Sequence, residues 1–76
     1  MHNILQKIGD ILKHRRELLG LLQPQLADLS GVSTRTIQLV EQGKGNPSLE
    51  TLIRLTDPLG LQLELVLKSP SKNSDQ

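Results

Sequence analysis

Apolar residues at Ile4, Ile8, Ile11, Leu12, Leu18 and Leu19 recur at the three-, four- and seven-residue spacings of one helical face. The pattern predicts an amphipathic helix from Ile4 to Leu19, stopped by Gly20. A second, shorter helix is predicted from Gln23 to Leu29, with Leu26 and Leu29 one turn apart. Pro24 fits it only in the first turn, where N–H groups have no intrahelical partner, so this helix begins near Gln23. The segment Ser30-Gly31-Val32-Ser33 breaks the period: Gly31 can take the positive φ of a turn, and Ser33 can cap a third helix starting at Thr34. That helix carries Ile37 and Val40 and runs to about Gln42, where the loop formers Gly43-Lys44-Gly45-Asn46-Pro47 follow. Ser48 is the expected cap of a fourth helix with Leu49, Leu52, Ile53 and Leu55 on its apolar face, and Pro58 should end or kink it near Thr56.

Beyond Gly60 the period drops to two. Leu61, Leu63, Leu65 and Leu67 alternate with Gln62, Glu64, Val66 and Lys68, which predicts a strand with one buried face. A lone strand in a helical chain has no sheet to join, and its backbone N–H and C=O groups require a partner. The expectation is antiparallel pairing with the same strand of a second copy, in a register that sets Glu64 against Gln62 or Lys68 rather than against itself. The alternative is that the leucines fold back on the first helix of their own chain and leave a monomer. Residues 69–76 offer nothing worth burying and are predicted to be a disordered tail. The expected fold class is thus mainly α: a unit of four to five helices over 1–60, a dimerisation strand over 61–68 that pairs across a dimer, and the tail.

Composition narrows the function classes. A chain of 76 residues has room for one hydrophobic core. Its lack of Cys removes disulfides and thiolate metal sites and fits a reducing, cytoplasmic setting. Apolar runs fall far short of the roughly 20 residues that span a bilayer, and charge arrives by Lys7 and Asp10, so neither a membrane span nor a signal peptide is expected. The net charge of +1 is uninformative, though residues 1–47 hold six Lys or Arg against four acids, so any basic surface belongs there. Without Phe, Tyr or Trp there are no stacking platforms for single-stranded nucleic acid, which leaves duplex DNA. His2 and His14 form no catalytic constellation, and Gly43-Lys44-Gly45 lacks the arrangement of a phosphate loop. No enzyme activity, cofactor or metal is expected.

The second helix, the Gly31 turn and the third helix make a helix-turn-helix pattern, and the chain resembles the phage-repressor family of that motif, known as XRE or Cro-like. The resemblance rests on Gln23, Leu26-Ala27, Gly31-Val32-Ser33, Thr36-Ile37, Val40-Glu41, Gly43, Pro47-Ser48-Leu49, Thr51-Leu52 and Leu59-Gly60, in this order. It departs from the family at Leu22, where Thr or Ser usually caps the second helix, and at Pro58, which interrupts a helix that normally continues. Ala27 is small enough for a close crossing of the third helix, whose Ile37 and Val40 would be buried. The opposite face then carries Thr34, Arg35, Gln38 and Leu39 and would enter the major groove.

Arg35 can bond bidentately to guanine, Gln38 to adenine, and Thr34 can offer a hydroxyl or a methyl. Leu39 is either a contact for thymine methyl groups or a core residue. With Ser33 at the helix start, these are the candidate base contacts. The resemblance implies phosphate contacts from Gln23 and from the loop at Gly43, Lys44 and Asn46, for which the bland alternative is a solvated loop. It also implies a structural pair between Arg16 and Glu41, with Arg15 left solvated or facing phosphate. The function implied is a sequence-specific, duplex-binding transcriptional repressor, homodimeric on a palindromic operator and nucleoid-associated. The strand and polar tail are similar to those of HipB-type antitoxins, which would add a HipA-type kinase toxin as partner. The alternatives are a stand-alone phage-type repressor and an interaction module that keeps the fold without binding DNA.

Overall fold

The computed structural model of the chain describes residues 3–68, so the expected tail at 69–76 and His2 lie outside the described residues. Four helices follow one another: α1 (Ile4–Leu18), α2 (Gln23–Ser30), α3 (Thr34–Glu41) and α4 (Leu49–Thr56), and a 3₁₀ turn over Asp57–Leu59 closes the helical part. Their boundaries lie where local chemistry sets them. Asn3 Oδ1 accepts from the Leu5 N–H at 2.9 Å and opens α1. At its other end the Leu21 N–H returns to the Arg16 carbonyl at 3.0 Å and turns the chain at Gly20. Ser33 and Ser48 cap α3 and α4, each hydroxyl accepting at 3.1 Å from a backbone N–H three residues on. Leu22 offers α2 no such acceptor; instead the Gln25 side chain reaches back and accepts from the Leu22 N–H at 2.8 Å. Pro58 ends α4 as expected but is accommodated inside the 3₁₀ turn.

The core is Leu12, Leu26, Val32, Ile37, Val40, Leu55 and Leu59, with Ile8, Leu21, Ala27, Leu52 and Leu61 packed around it. Each such aliphatic side chain stabilises the fold by about 1.5–3 kcal/mol when fully buried. α3 lies against both α1 and α2, and the 3₁₀ turn bridges α1, α2 and α4. Two glycines set these approaches. Gly31 turns the chain between α2 and α3 at φ 75°, its N–H bonded to the Ala27 carbonyl at 2.9 Å. A Cβ on Gly9 would stand 2.9 Å from the Glu41 carbonyl oxygen and closer still to that of Val40, so α1 crosses the end of α3 at a point where a side chain has no room.

Three expectations are corrected. The apolar face read for α4 is turned part way out: Leu55 is buried and Leu52 half-buried, but Leu49 and Ile53 are exposed, and Thr56 takes the buried place. Likewise Ile4, Ile11, Leu18, Leu19 and Leu29 are exposed. Helical period says which residues share a face, while cover depends on which neighbours a small domain can bring there. Finally, the strand expected over Leu61, Leu63, Leu65 and Leu67 is not formed: residues 61–68 carry no regular secondary structure among the described residues. A strand exists only in a ladder, and the helical chain supplies no second edge. Leu61 is half-buried on the core, whereas Leu65 and Leu67 are 101% and 95% exposed.

Candidate nucleic-acid interface

α3 is fixed by its inner side. Ile37 and Val40 sit in the core, and Glu41, one residue on, is buried against Arg16. The guanidinium meets the carboxylate through two bonds, Nε to Oε2 at 2.7 Å and Nη2 to Oε1 at 2.9 Å, while Nη1 donates to the Leu21 carbonyl at 2.7 Å. One side chain thus ties α1, the turn into α2 and the end of α3 together. The Glu41 hydrogen bonds raise the Arg16 pKa above its ordinary value, outweighing burial, which acts the other way. Among the described residues no buried side-chain nitrogen or oxygen lacks a partner.

The outer side of α3 is what this clamp presents. At 100° per residue, Arg35, Gln38 and Leu39 point away from Ile37 and Val40; Arg35 and Gln38 are exposed and Leu39 is half-buried. Leu39 is outside the core cluster, and the following loop runs near it: a Cβ on Gly45 would stand 4.0 Å from that of Leu39. Thr34 is half-buried at the edge of the face. Ser33 is exposed, but its hydroxyl is occupied by the cap, accepting from the Thr36 N–H and bonded to Thr36 Oγ1 at 3.0 Å. Gln42, exposed and four residues beyond Gln38, completes the face. Sequence reading passed over it as a helix end, although its spacing from Gln38 and Arg35 was signal enough.

The residues assigned to phosphate divide into two groups. Lys44 and Asn46 are exposed, in a loop whose Lys44 N–H bonds the Leu39 carbonyl at 2.9 Å, while Gly43 is pressed against Gln6 of α1. Gln23 is half-buried and its side chain is already engaged, donating Nε2 to Glu41 Oε1 at 3.0 Å. The first-turn N–H groups of α2 and one remaining amide hydrogen are what it has left to offer a phosphate. Arg15, expected as a solvated or phosphate-facing charge, is half-buried and donates Nε to the Leu59 carbonyl at 2.7 Å, joining α1 to the 3₁₀ turn. Among the described residues no cluster of His, Asp and Glu is arranged to hold a metal, and no helix is long and apolar enough to cross a membrane.

Comparison with known proteins shows the family of the chain. The family described as Helix-turn-helix matches residues 12–66. The chain is 49% identical over 51 residues to an uncharacterized HTH-type transcriptional regulator of Haemophilus influenzae, covering 67% of this chain and 52% of that protein. It is 31% identical over 58 residues to the cryptic phage CTXphi transcriptional repressor RstR of Vibrio cholerae, covering 76% and 52%. It is 36% identical over 64 residues to the HTH-type transcriptional regulator PuuR of Escherichia coli, covering 84% and 35%. The chain therefore spans about half the length of the first two relatives and about a third of the last.

Proposed function

The chain belongs to the helix-turn-helix family of DNA-binding transcriptional regulators, and from that premise we propose that it is a sequence-specific repressor that binds a palindromic duplex as a homodimer. The observation that carries the reading is the uncovered face of α3, with Arg35 and Gln38 exposed on a helix whose inner side is locked by Arg16 and Glu41. In the proposed complex α3 lies in the major groove. Arg35 and Gln38 read base edges, Leu39 packs on thymine methyl groups, Thr34, Ser33 and Gln42 flank them, and Lys44, Asn46, Gly43 and the start of α2 at Gln23 hold the backbone. Such a protein works beside the nucleoid, in the cytoplasm.

The homodimer is assigned to residues 61–67, of which Leu63, Leu65 and Leu67 are exposed in the single chain. The narrower role of an autoregulating antitoxin holding a HipA-type kinase toxin has only that segment in its favour, whereas the name of RstR favours a phage-type repressor. The reading adopted is the repressor; a kinase-like neighbouring gene would move it to the antitoxin.

Selection of bound sequences from random duplexes tests the proposal. The expected result is a palindrome with half-site centres about 34–36 Å apart or a multiple of that spacing, bound with an affinity that falls steeply with salt. Binding without sequence preference would overturn the sequence-specific reading, and no binding would point to the interaction-module alternative.

A further inference from the structure

We propose that Lys13 of α1 is a further phosphate contact, holding the duplex backbone between the loop at Lys44 and Asn46 and the start of α2 at Gln23. The inference rests on the duplex binding proposed above and gives α1 a direct part in it. At about 100° per residue, Gly9, Lys13 and Arg16 fall within about 60° of one another, with Gln6 about 20° beyond Lys13. The other members of this strip touch the DNA-facing elements. A Cβ on Gly43 would stand 2.8 Å from the Gln6 Cα, where the loop leaves α3. A Cβ on Gly9 would stand 2.9 Å from the Glu41 carbonyl oxygen, at the end of α3. Arg16 bonds the Glu41 carboxylate, which also accepts from the Gln23 side chain. Lys13 stands between these ends, about 4.5 Å along the helix axis from Arg16 and about 10 Å from Gln6. A backbone held both at the loop and at Gln23 therefore passes α1 at Lys13.

Of the basic residues of α1, Lys13 combines this position with an unengaged charge. Arg16 donates to Glu41 and to the Leu21 carbonyl, and Arg15 to the Leu59 carbonyl. Lys7 and His14 lie about 160° and 140° from Gly9, on the side turned away from α3. Lys13 is exposed and joins no ion pair among the described residues. Asp10 and Glu17, three residues before it and four after, are the partners that a solvated helix face would give it. Both lie further round α1, about 60° and 40° beyond Lys13 and away from Arg16, and Asp10 accepts from Gln6 Nε2 at 3.2 Å. An ammonium on a flexible stem meets phosphate as a point charge, so this contact strengthens binding to every sequence alike.

The test is the salt dependence of binding by the full chain, measured on a duplex recovered by the selection above and on a duplex of unrelated sequence. Lys13→Gln removes the charge and keeps a long side chain on an exposed helix position, and Lys7→Gln is its control on the far side of α1. One lost phosphate contact lowers the slope of log affinity against log salt by about 0.9 per half-site, a loss of about 15-fold near 50 mM salt and about 4-fold near 200 mM. Lys13→Gln should show that loss on both duplexes, leaving the ratio between them unchanged. Lys13→Arg should keep the parent slope, and so should Lys7→Gln. An unchanged slope in Lys13→Gln, or an equal fall in Lys7→Gln, would overturn the contact while the repressor reading stands. A loss confined to one base pair of the selected duplex would overturn it too, as a base contact. A parent chain that binds neither duplex would overturn the repressor reading and this inference with it.

Discussion

Arg16 has its donors engaged inside the fold and Arg35 does not, and the role proposed for each follows from that difference. Arg16 spends Nε, Nη1 and Nη2 inside the fold, whereas Arg35 is exposed and has no protein partner among the described residues. A free planar fork on the outward face of α3 suits it to guanine. Arg35→Ala should therefore cost about 1–3 kcal/mol of operator binding and relax discrimination at one base pair per half-site. Lys44, exposed in the loop after α3, should act differently: Lys44→Ala weakens all sequences alike and lowers the salt slope by about 1 per half-site. Titrations against single-base operator variants check both, and uniform weakening by Arg35→Ala would reassign it to phosphate.

Among the elements, α3 is held at its end rather than along its length. Glu41 is the hub: it takes two bonds from Arg16 and one from Gln23, so the same carboxylate positions α1, α2 and α3. Removing it leaves a buried guanidinium with only the Leu21 carbonyl, and breaking one side of such a pair costs about 3–5 kcal/mol. Glu41→Ala should lower the urea midpoint accordingly with little change in slope, and an unchanged midpoint would contradict the clamp. Because the pair itself is offset by desolvation, its clearest consequence is geometric: it sets the angle at which α3 is presented.

For the whole molecule, one copy presents one α3, and a palindrome needs two held together. Leu65 and Leu67 lie outside the core, so Leu65→Asp with Leu67→Asp should leave helical circular dichroism unchanged while abolishing the proposed dimer. Operator affinity should then fall toward that of a single half-site, by about 10²-fold or more, as the second binding event loses its effective concentration. Sedimentation and titration of the same variant check the two effects together. Undiminished affinity from a monomeric variant would mean that the half-sites act independently.

Where the chain punctuates itself, the amino-acid sequence was sufficient. Ser33 and Ser48 cap, Gly20 and Gly31 turn, and Pro58 stops a helix through bonds and clashes within a few residues, so the start of each of the four helices was readable. The outward placement of Arg35 and Gln38 was readable too, because it follows from Ile37 and Val40 facing in. Tertiary structure decided what depends on segments meeting from afar. Gly9 gave no local sign that α1 crosses α3 there, Arg15 found the Leu59 carbonyl across 44 residues, and Gln23 was drawn to Glu41 rather than left free. Leu49 and Ile53 matched the helical period as well as Leu55 did, yet both stay exposed. Period and capping are short-range and local, whereas cover and crossing are properties of the packed chain. The alternating leucines form no strand, because period two marks a face while a ladder also needs a second edge.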